Sequence, residues 1–372
     1  MTPVSADHCL PCVSCKADVT TRFIEAHRDL RVRPLGSSPW PRQAAVLLFV
    51  ALAASLASAD DLSLKAPSSL PSWRESDAKK AIVQFVAEVT DDKSSDFVPP
   101  AERIAVFDND GTLWPENPMP FQLAFTLDEL KRRLPEEPEW KDDPAVKAAQ
   151  AGDLPALLAD HYKGLFRLIE LTGSGITTIE FADRVRSWLA TAKHPRFQRP
   201  YDQLVYQPML ELLAYLRANG FKTFIVSGGG SDFMRIFSEH VYGIPPEQIV
   251  GSNTQVVYEL RENGPVLVKT MNDLFIDDKA GKPAGIHQFI GRRPIACFGN
   301  SDGDKQMLEY TTIDNPRPSL GLIVHHTDAD REYAYDSDPK SSGKLVTALA
   351  DAPKRGWVVV DMKKDWTEIF RP

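Results

Sequence analysis

The sequence has few long runs of any one kind of residue. Among its 372 residues no stretch of lysine and arginine is long, and the formal net charge is −8, so a nucleic-acid-binding surface is not expected. No segment repeats at a fixed period, which argues against a repeat architecture. The acidic balance still permits a phosphate ligand, because the local field decides binding and a metal ion can reverse it.

Cysteine is also scarce. Cys9, Cys12 and Cys15 lie near the N terminus with only His8 beside them, which makes a weak metal site. The rest of the chain contains only Cys297, in the middle of an apolar run. A lone cysteine cannot form an intramolecular disulfide, so we expect a buried, inert thiol.

Only one uncharged apolar run is long, at residues 44–58, and its 15 residues fall short of the roughly 20 that a membrane-spanning helix needs. Arg42 precedes the run and Ala-Ser-Ala ends it, which is typical of a secretory signal peptide cleaved near Ala59. We therefore expect an exported protein, periplasmic or secreted, without stable membrane association after cleavage. The alternative is a membrane anchor formed by the uncleaved run.

The segment before this run differs from a usual export signal, and the segment after it differs from a folded domain. The segment before Arg42 is longer than a usual n-region and contains acids, so our hypothesis is a true start downstream, at Val32 or Leu35. Residues 1–59 would then be a removable N-terminal segment. Residues 60–76 are rich in serine, proline and aspartate, which predicts a flexible leader.

The remaining sequence predicts an α/β fold with a helical insertion. A helix over 77–89 precedes a short apolar strand over 103–107, and strands resume only at 221–226. Between them, amphipathic periodicity predicts helices over 122–133, 144–149, 155–171, 178–190 and 207–219. Later segments predict a β-hairpin with Asn263-Gly264 at its turn, a helix over 284–290, and strands over 294–298, 320–324 and 357–360.

Two acids follow the first strand, in the run Asp-Asn-Asp-Gly-Thr that begins at Asp108. Residues two apart in an extended backbone point the same way, so Asp108 and Asp110 can converge at the strand end where α/β sheets place their sites. Two such carboxylates repel unless a cation lies between them or one keeps a proton. Gly111 permits a sharp turn, and Thr112 offers a hydroxyl and an N–H. The alternative is a plain polar turn.

Two later segments could bind an anion. Ser227 and Gly228 open a Ser-Gly-Gly-Gly run after strand 221–226, and their hydroxyl and N–H groups could hold a phosphate or simply cap a helix. Lys282 precedes a predicted helix and could also hold a phosphate. Lys279 and Lys269 are rivals, since a solvated position is the default for any lysine.

An acidic loop follows strand 294–298, in the run Gly-Asn-Ser-Asp-Gly-Asp. The amide oxygen of Asn300 can bind a hard cation, although an amide lacks the negative charge of an acid. Asp302 and Asp304 are the candidates to supply that charge.

In this order the four segments resemble the motifs of the haloacid dehalogenase-like hydrolases, over about residues 104–308. The Ser-Gly-Gly form is similar to that of phosphoserine phosphatase-type members. The resemblance implies a Rossmann-like, doubly wound parallel sheet formed by residues 77–114 and 206–372. It also implies a helical cap, residues 115–205, that closes over the site. The fourth motif usually reads Gly-Asp-x-x-x-Asp, so Asn300 departs from the family pattern.

The resemblance further implies a Mg²⁺-dependent phosphomonoester hydrolase that acts through an aspartyl-phosphate. It assigns Asp108 as nucleophile and Asp110 as general acid and base. It assigns phosphate binding to Thr112, Ser227, Gly228 and Lys282, and Mg²⁺ binding to Asp108, Asp110, Asn300 and Asp304.

Several alternatives remain at this stage. The protein could transfer phosphate to an alcohol acceptor, or it could bind small phosphorylated ligands without turnover, which the amide of Asn300 favours. His325 and His326 are adjacent on a strand and therefore point to opposite faces, so we do not expect them to share an ion. The identity of the small phosphorylated substrate and the oligomeric state do not follow from the sequence.

Overall fold

The computed structural model describes residues 70–339 and 342–371, and a sheet of six parallel strands lies at its centre. The strands of this described part are β1 (Ile104–Phe107), β2 (Lys222–Gly230), β3 (Ile249–Ser252), β4 (Val256–Arg261), β5 (Gly264–Lys269), β6 (Ala296–Gly299), β7 (Leu320–His325) and β8 (Val358–Asp361). The sheet order is β3-β2-β1-β6-β7-β8, while β4 and β5 form the predicted antiparallel hairpin. From β1 the chain adds strands on one side of the sheet, as β2 and β3, and later on the other side, as β6, β7 and β8. Doubly wound sheets bind ligands at this switch point between β1 and β6. The predicted doubly wound α/β fold is confirmed.

Strand β1 lies in the interior of the sheet, and both of its faces are covered. Its four residues are all buried, and they alternate between two hydrophobic clusters on opposite faces. A continuous apolar run is what a central parallel strand requires. Phe107 pairs with Ile225 of β2 and with Phe298 of β6, so the carboxyl ends of these three strands meet at one edge.

Helices cover both faces of the sheet. Those in the described residues are α1 (Asp77–Thr90), α2 (Phe121–Arg133), α3 (Pro144–Ala151), α4 (Leu154–Gly173), α5 (Thr178–Thr191), α6 (Gln207–Ala218), α7 (Ser231–Met234), α8 (Ser238–Tyr242), α9 (Gly281–Gly285), α10 (Lys305–Thr312), α11 (Thr347–Arg355) and α12 (Met362–Asp365). Helices α1 to α6 begin and end within two residues of their predicted bounds. Sequence periodicity did not reveal α7, α8, α10 to α12 or β3, most of which are too short to show a period.

Helices α2 to α5 are inserted in the chain after β1 and before α6 and β2. Asp143, Asp153 and Thr177 cap α3, α4 and α5 by accepting N–H groups of the first turn. Apolar residues of α2, α3 and α4 form a separate hydrophobic cluster, which includes Leu130 and Val146. A local core of this kind can hold the inserted helices together as a unit. Their role as a cap that closes over the site stays a prediction.

Some expectations fall on residues that the structure does not describe. The predicted signal peptide at 44–58 and the three N-terminal cysteines lie outside the described residues. Within residues 70–339 and 342–371, no helix combines the length and apolar character needed to cross a bilayer. Cys297 is free and buried, as the sequence predicts.

Candidate active site

The turn after β1 directs two acids into one cavity. The backbone carbonyl of Asn109 accepts N–H groups from the residues that follow, and Gly111 adopts a φ of +75°. The Asn109 side chain points away and accepts a hydrogen bond from the hydroxyl of Tyr242 at 3.0 Å. Asp108 and Asp110 both line the cavity. The alternation expected of extended backbone therefore places the two acids on the same side.

Lys282, in the first turn of α9, is only 2% exposed. Its Nζ lies 2.8 Å from Oδ1 of Asp108 and 2.6 Å from Oδ1 of Asp304, and it donates to the carbonyl of Val226 at 3.0 Å. The ammonium thus connects the ends of β1, β2 and β6. Lys279, its rival in the sequence, is exposed.

The charges in this group shift one another's pKa. Burial alone would lower the pKa of Lys282, but the charges of Asp108 and Asp304 and their hydrogen bonds outweigh it and raise that pKa. Burial and then the charge of Asp304 raise the pKa of Asp108, while Lys282 opposes them. One ammonium facing two carboxylates leaves a formal charge of −1, so the group can accept a further cation.

Asp110 and Ser227 both line the cavity, on either side of Gly229. The indole Nε1 of Trp114 donates to Oδ1 of Asp110 at 2.6 Å and fixes the carboxyl group. A Cβ built on Gly229 would lie 3.6 Å from Oδ2 of Asp110 and 3.6 Å from Oγ of Ser227. Burial raises the pKa of Asp110 to about 6, although the Trp114 hydrogen bond and the charge of Lys282 oppose it.

The glycine run after Ser227 belongs to strand β2, so Ser227 does not directly precede a helix, as the capping alternative required. Strand β2 continues to Gly230, and its register against β3 shifts between Ser227 and Gly230. The N–H of Gly229 donates to Oγ of Ser227 at 3.2 Å, and that of Gly230 donates to Oε1 of Gln122 at 2.7 Å. The bulge is possible because glycine tolerates this irregular backbone. All four members of the Ser-Gly-Gly-Gly run line the cavity, and Gly230 is the one bonded to a side chain of α2.

The acidic loop after β6 uses its oxygens mainly within the protein. Oδ2 of Asp304 accepts N–H groups from Asn300 at 2.9 Å and Ser301 at 3.0 Å, while Oδ1 faces Lys282. This geometry favours a positioning role for Asp304 over the metal-ligand role that the sequence suggested. Asp302 accepts the backbone N–H of Ala348 at 2.8 Å at the start of α11, so its charge serves that helix.

Thr112 and Asn300 form a buried pair behind the cavity. Thr112 is fully buried and its hydroxyl donates to Oδ1 of Asn300 at 3.1 Å. Neither residue lines the cavity within the described part of the chain. The hydroxyl of Thr112, which the sequence assigned to phosphate binding, is therefore engaged with Asn300 instead.

Glu116 is the main site residue that sequence reasoning did not identify. It is 3% exposed and lines the cavity together with Asp108 and Asp110. Its Oε1 accepts hydrogen bonds from Nδ2 of Asn300 at 2.5 Å and from the hydroxyl of Tyr335 at 2.8 Å. Burial raises the pKa of Glu116 to about 7. The only signal in the sequence was an acid close after the Asp-Asn-Asp run, and its partners lie far along the chain.

His326 supports the same turn, whereas the ring of His325 faces Asp336 at 3.8 Å. Its Nε2 donates to the carbonyl of Gly111 at 2.7 Å, and its Nδ1 lies 3.0 Å from Oε2 of Glu332. Burial alone would lower the pKa of His326, but the charge and hydrogen bond of Glu332 outweigh it and raise that pKa. Since both neighbours are acceptors, the ring donates from both nitrogens and carries a positive charge.

The cavity above these residues has a volume of about 740 Å³. Asp278, a second residue missed by sequence reasoning, lies on its wall beside Gly228 and Gly303. Side chains of α2, α4 and α5 form the opposite wall. The cavity therefore lies between the sheet edge and the inserted helices, and its volume is that of a small-molecule site.

The oxygen atoms at the base of the cavity suit a hard divalent cation. In the described part of the chain, no three His, Cys, Asp or Glu side chains are grouped closely enough to hold a metal ion. Mg²⁺ does not need such a group, because it commonly uses one or two carboxylates and retains several waters. The carboxylate of Asp108 and the backbone carbonyl of Asp110 are oxygen donors of this kind, so the residues present fit the ion.

Comparison with known proteins identifies one family. The family model for the haloacid dehalogenase-like hydrolases matches residues 105–309, which is more than half of the chain. A search of the curated proteins found no significant match.

Solved structures show only remote likeness. A conserved protein of unknown function from Anaerococcus prevotii is 19% identical with a TM-score of 0.47, covering 67% of this chain and 86% of its own. A protein of unknown function from Bordetella pertussis is 15% identical with a TM-score of 0.44, covering 70% and 99%. A phosphoserine phosphohydrolase-like protein from Francisella tularensis is 16% identical with a TM-score of 0.36, covering 68% and 98%. Likenesses of this size say nothing about activity.

Gly111→Ala should destabilise the protein more than Gly152→Ala, although the two glycines have a similar φ. A Cβ on Gly111 would collide with the side chains of Asn300 and Glu116, whereas Gly152, with a φ of +69°, has nothing within 4 Å. We expect Gly152→Ala to cost about 1 kcal/mol for the backbone conformation alone. Gly111→Ala should cost roughly 1–3 kcal/mol more because of overpacking. Urea unfolding of the two variants measures this, and equal losses would contradict the packing described around Gly111.

Proposed function

Because the chain belongs to the haloacid dehalogenase-like hydrolases, we propose that it hydrolyses phosphate monoesters of small organic molecules. The observation that carries this proposal is the contact between the buried ammonium of Lys282 and the carboxylate of Asp108 at 2.8 Å. In this proposal Asp108 is the nucleophile and Lys282 is the cationic anchor for phosphate oxygens. Ser227 lines the same cavity and adds a hydroxyl.

The first step would use Asp108 as nucleophile. A carboxylate oxygen of Asp108 attacks phosphorus in line with the ester bond, and the P–O bond to the organic group breaks. Asp110 gives its proton to the departing oxygen. The hydrogen bond from Trp114 keeps the Asp110 carboxyl group directed into the cavity for this transfer.

The second step would return the enzyme to its starting state. Asp110, now ionised, takes a proton from water, and the resulting oxygen attacks the phosphorus of the aspartyl-phosphate. The bond between phosphorus and Asp108 breaks, so that inorganic phosphate is released and both acids regain their initial protonation. Because the same group acts as acid and then as base, one side chain can serve both halves of the reaction.

The remaining groups would bind the phosphate and hold one another in place. Lys282, the hydroxyl of Ser227 and the N–H of Gly228 would contact the phosphate oxygens. Asp304 positions Lys282 through the contact at 2.6 Å. Mg²⁺, held by the Asp108 carboxylate and the Asp110 carbonyl, would neutralise the negative charge of substrate and nucleophile. Export to the periplasm or the exterior remains part of this proposal.

Two other functions fit the same site less well. Transfer of the phosphoryl group to an alcohol would need only a different acceptor in the second step. A binding protein without turnover is favoured by the neutral Asn300 in the acidic loop. Release of inorganic phosphate at many turnovers per enzyme separates hydrolysis from binding, and a transferred ester in the presence of added alcohol identifies the transferase.

Asp108→Asn and Asp110→Asn should abolish most activity without unfolding the protein. Loss of the general acid should lower kcat by roughly 10²–10⁴-fold, and loss of the nucleophile by at least as much. Hydrolysis of a chromogenic phosphate ester measures the rate, and circular dichroism checks the fold. Asp361→Asn is the matched control, because Asp361 also ends a strand of the sheet but does not line the cavity. Near-normal turnover by Asp108→Asn would refute the nucleophile assignment.

Chelation should remove activity reversibly. Treatment with EDTA followed by dialysis should lower phosphate release to background, because the charges at Asp108 would then repel an anionic substrate. Added Mg²⁺ should restore the rate, whereas added Na⁺ at equal ionic strength should not. Full activity after chelation would exclude a dissociable cation from the mechanism.

A further inference from the structure

We propose that the organic part of the substrate is apolar, an alkyl or aryl group rather than an amino acid or other charged group. This inference rests on the proposed function. It follows from the wall of the cavity that faces Asp108, Ser227 and Lys282, because the organic group of a bound ester must lie against that wall.

Among the described residues of the inserted helices, no charged side chain lines the cavity. Its lining residues between positions 120 and 181 are apolar or neutral. They include Leu123, Phe125, Leu165, Phe166, Ile169 and Phe181. A charged group placed against this wall would lose its hydration without finding an ionic partner, which is unfavourable.

The charged lining residues lie on the opposite side, and two of the four lysines among them, Lys269 and Lys282, are engaged by carboxylates. Lys269 is paired with Asp232, and its Nζ lies 4.6 Å above the ring of Phe181. Lys282 is held by two carboxylates, as described above. No arginine lines the cavity in the described part of the chain, so a bidentate partner for a substrate carboxylate is absent there. Lys279 and Lys344 also lie on that side, so the amino and carboxyl groups of phosphoserine would lack an ionic partner only where they lie against the inserted helices, which is where the organic group is placed.

A quaternary amine is also disfavoured. Such a cation is held by the open faces of several aromatic rings together. Of the lining rings, Phe181 already lies under the ammonium of Lys269, and Phe125 and Phe233 are buried against each other, which leaves Tyr162 and Phe166. The cavity, at about 740 Å³, is also larger than a choline group requires. An extended apolar group uses both the volume and the character of the wall.

A series of n-alkyl monophosphates tests this inference. From methyl to hexyl phosphate, kcat/KM should rise roughly fourfold for each added methylene until the wall is covered. O-Phosphoserine and phosphocholine should lie well below hexyl phosphate. A flat series, or a preference for either charged ester, would overturn the inference and leave the proposed hydrolysis standing.

Binding of hexylphosphonate and methylphosphonate, measured by calorimetry, separates the two proposals. These compounds cannot be hydrolysed, so tighter binding of the hexyl compound supports the apolar site even if no ester is turned over. Equal binding would overturn the apolar site. Failure of every ester to release phosphate would count against the proposed function alone.

Leu165→Asp places a charge on the cavity wall and should lower the ratio of hexyl to methyl kcat/KM by roughly tenfold or more. Leu260→Asp is the control, because Leu260 is 74% exposed on the β4–β5 hairpin and does not line the cavity. An unchanged ratio in a folded Leu165→Asp protein would contradict the proposed orientation of the organic group.

A second inference comes from Glu116 and is independent of the first. We infer that the Glu116 carboxylate is a ligand of the bound cation and supplies the negative charge that Asn300 lacks. Glu116 lines the cavity with Asp108 and Asp110, whereas Asn300 lies behind it. The hydrogen bond of 2.5 Å from Nδ2 of Asn300 holds the Glu116 carboxylate at that position.

The partners of Glu116 support this role. Its carboxylate accepts hydrogen bonds from an amide and a phenol, both neutral, and no lysine or arginine forms an ion pair with it among the described residues. The nearby cation His326 is paired with Glu332 at 3.0 Å. A buried carboxylate with only neutral partners is costly unless a cation approaches it. The cavity is the direction from which that cation can come.

Charge exchange between positions 116 and 300 tests the inference. Mn²⁺ replaces Mg²⁺ as the probe, and electron paramagnetic resonance of free Mn²⁺ measures binding without substrate or turnover. Glu116→Gln should weaken binding roughly tenfold or more. The double variant with Glu116→Gln and Asn300→Asp should restore affinity to within a few-fold of the parent. Unchanged binding by Glu116→Gln, or no recovery in the double variant, would overturn the assignment.

Two further variants keep the test decisive. Glu129→Gln removes a buried acid that pairs with Arg132 outside the cavity, so it should bind Mn²⁺ like the parent. Asn300→Asp alone would bring two carboxylates together, so its unfolding temperature should fall in metal-free buffer and rise with Mg²⁺ more than that of the parent. Should Glu116→Gln fail to fold, an Asn300→Asp protein with the parent's response to Mg²⁺ would overturn the inference.

Discussion

The buried ammonium of Lys282 is the constraint on which the site depends. Removing an ammonium from water costs several kcal/mol, so Lys282 can remain buried only while acceptors surround it. Asp108, Asp304 and the carbonyl of Val226 provide those acceptors at 2.6–3.0 Å. These acceptors come from three segments, namely the residue after β1, strand β2 and the loop after β6, so one cation fixes their relative positions.

The same constraint limits what the site can do by itself. One ammonium and two carboxylates have a formal charge of −1, and Asp110 and Glu116 add acids to the same cavity. A phosphate dianion would meet net repulsion there, because the repulsion between like charges at short range is weakly screened inside a protein. An anion can bind only if N–H groups and a hard cation outweigh the acids. The proposed cation therefore follows from the charge balance as well as from family membership.

The sequence could predict the fold and one edge of the site because both depend on local patterns. A four-residue apolar strand followed by acids identifies β1, and the parallel arrangement then brings the ends of β2 and β6 beside it. Glu116 and Asp278 could not be found in this way, since each reaches the cavity through contacts with distant segments. Tyr335 lies 219 residues beyond Glu116 in the chain, and their hydrogen bond has no local signal. Asp302 and Asp304 could not be assigned from sequence either, because their oxygens bind Ala348, Asn300 and Lys282, and only the fold brings Ala348 and Lys282 close to them.

The cavity combines two walls with opposite solvation requirements. The sheet edge carries acids and one buried lysine, and these groups remain ionised only if polar partners or a cation compensate their lost hydration. The inserted helices present leucine, isoleucine and phenylalanine, which gain free energy when an apolar group displaces water from them. A substrate that joins a phosphate to an apolar group satisfies both walls in one orientation. The reverse orientation would leave the phosphate without a cationic partner, so the chemistry that would bind such an ester would also bring its phosphorus to Asp108.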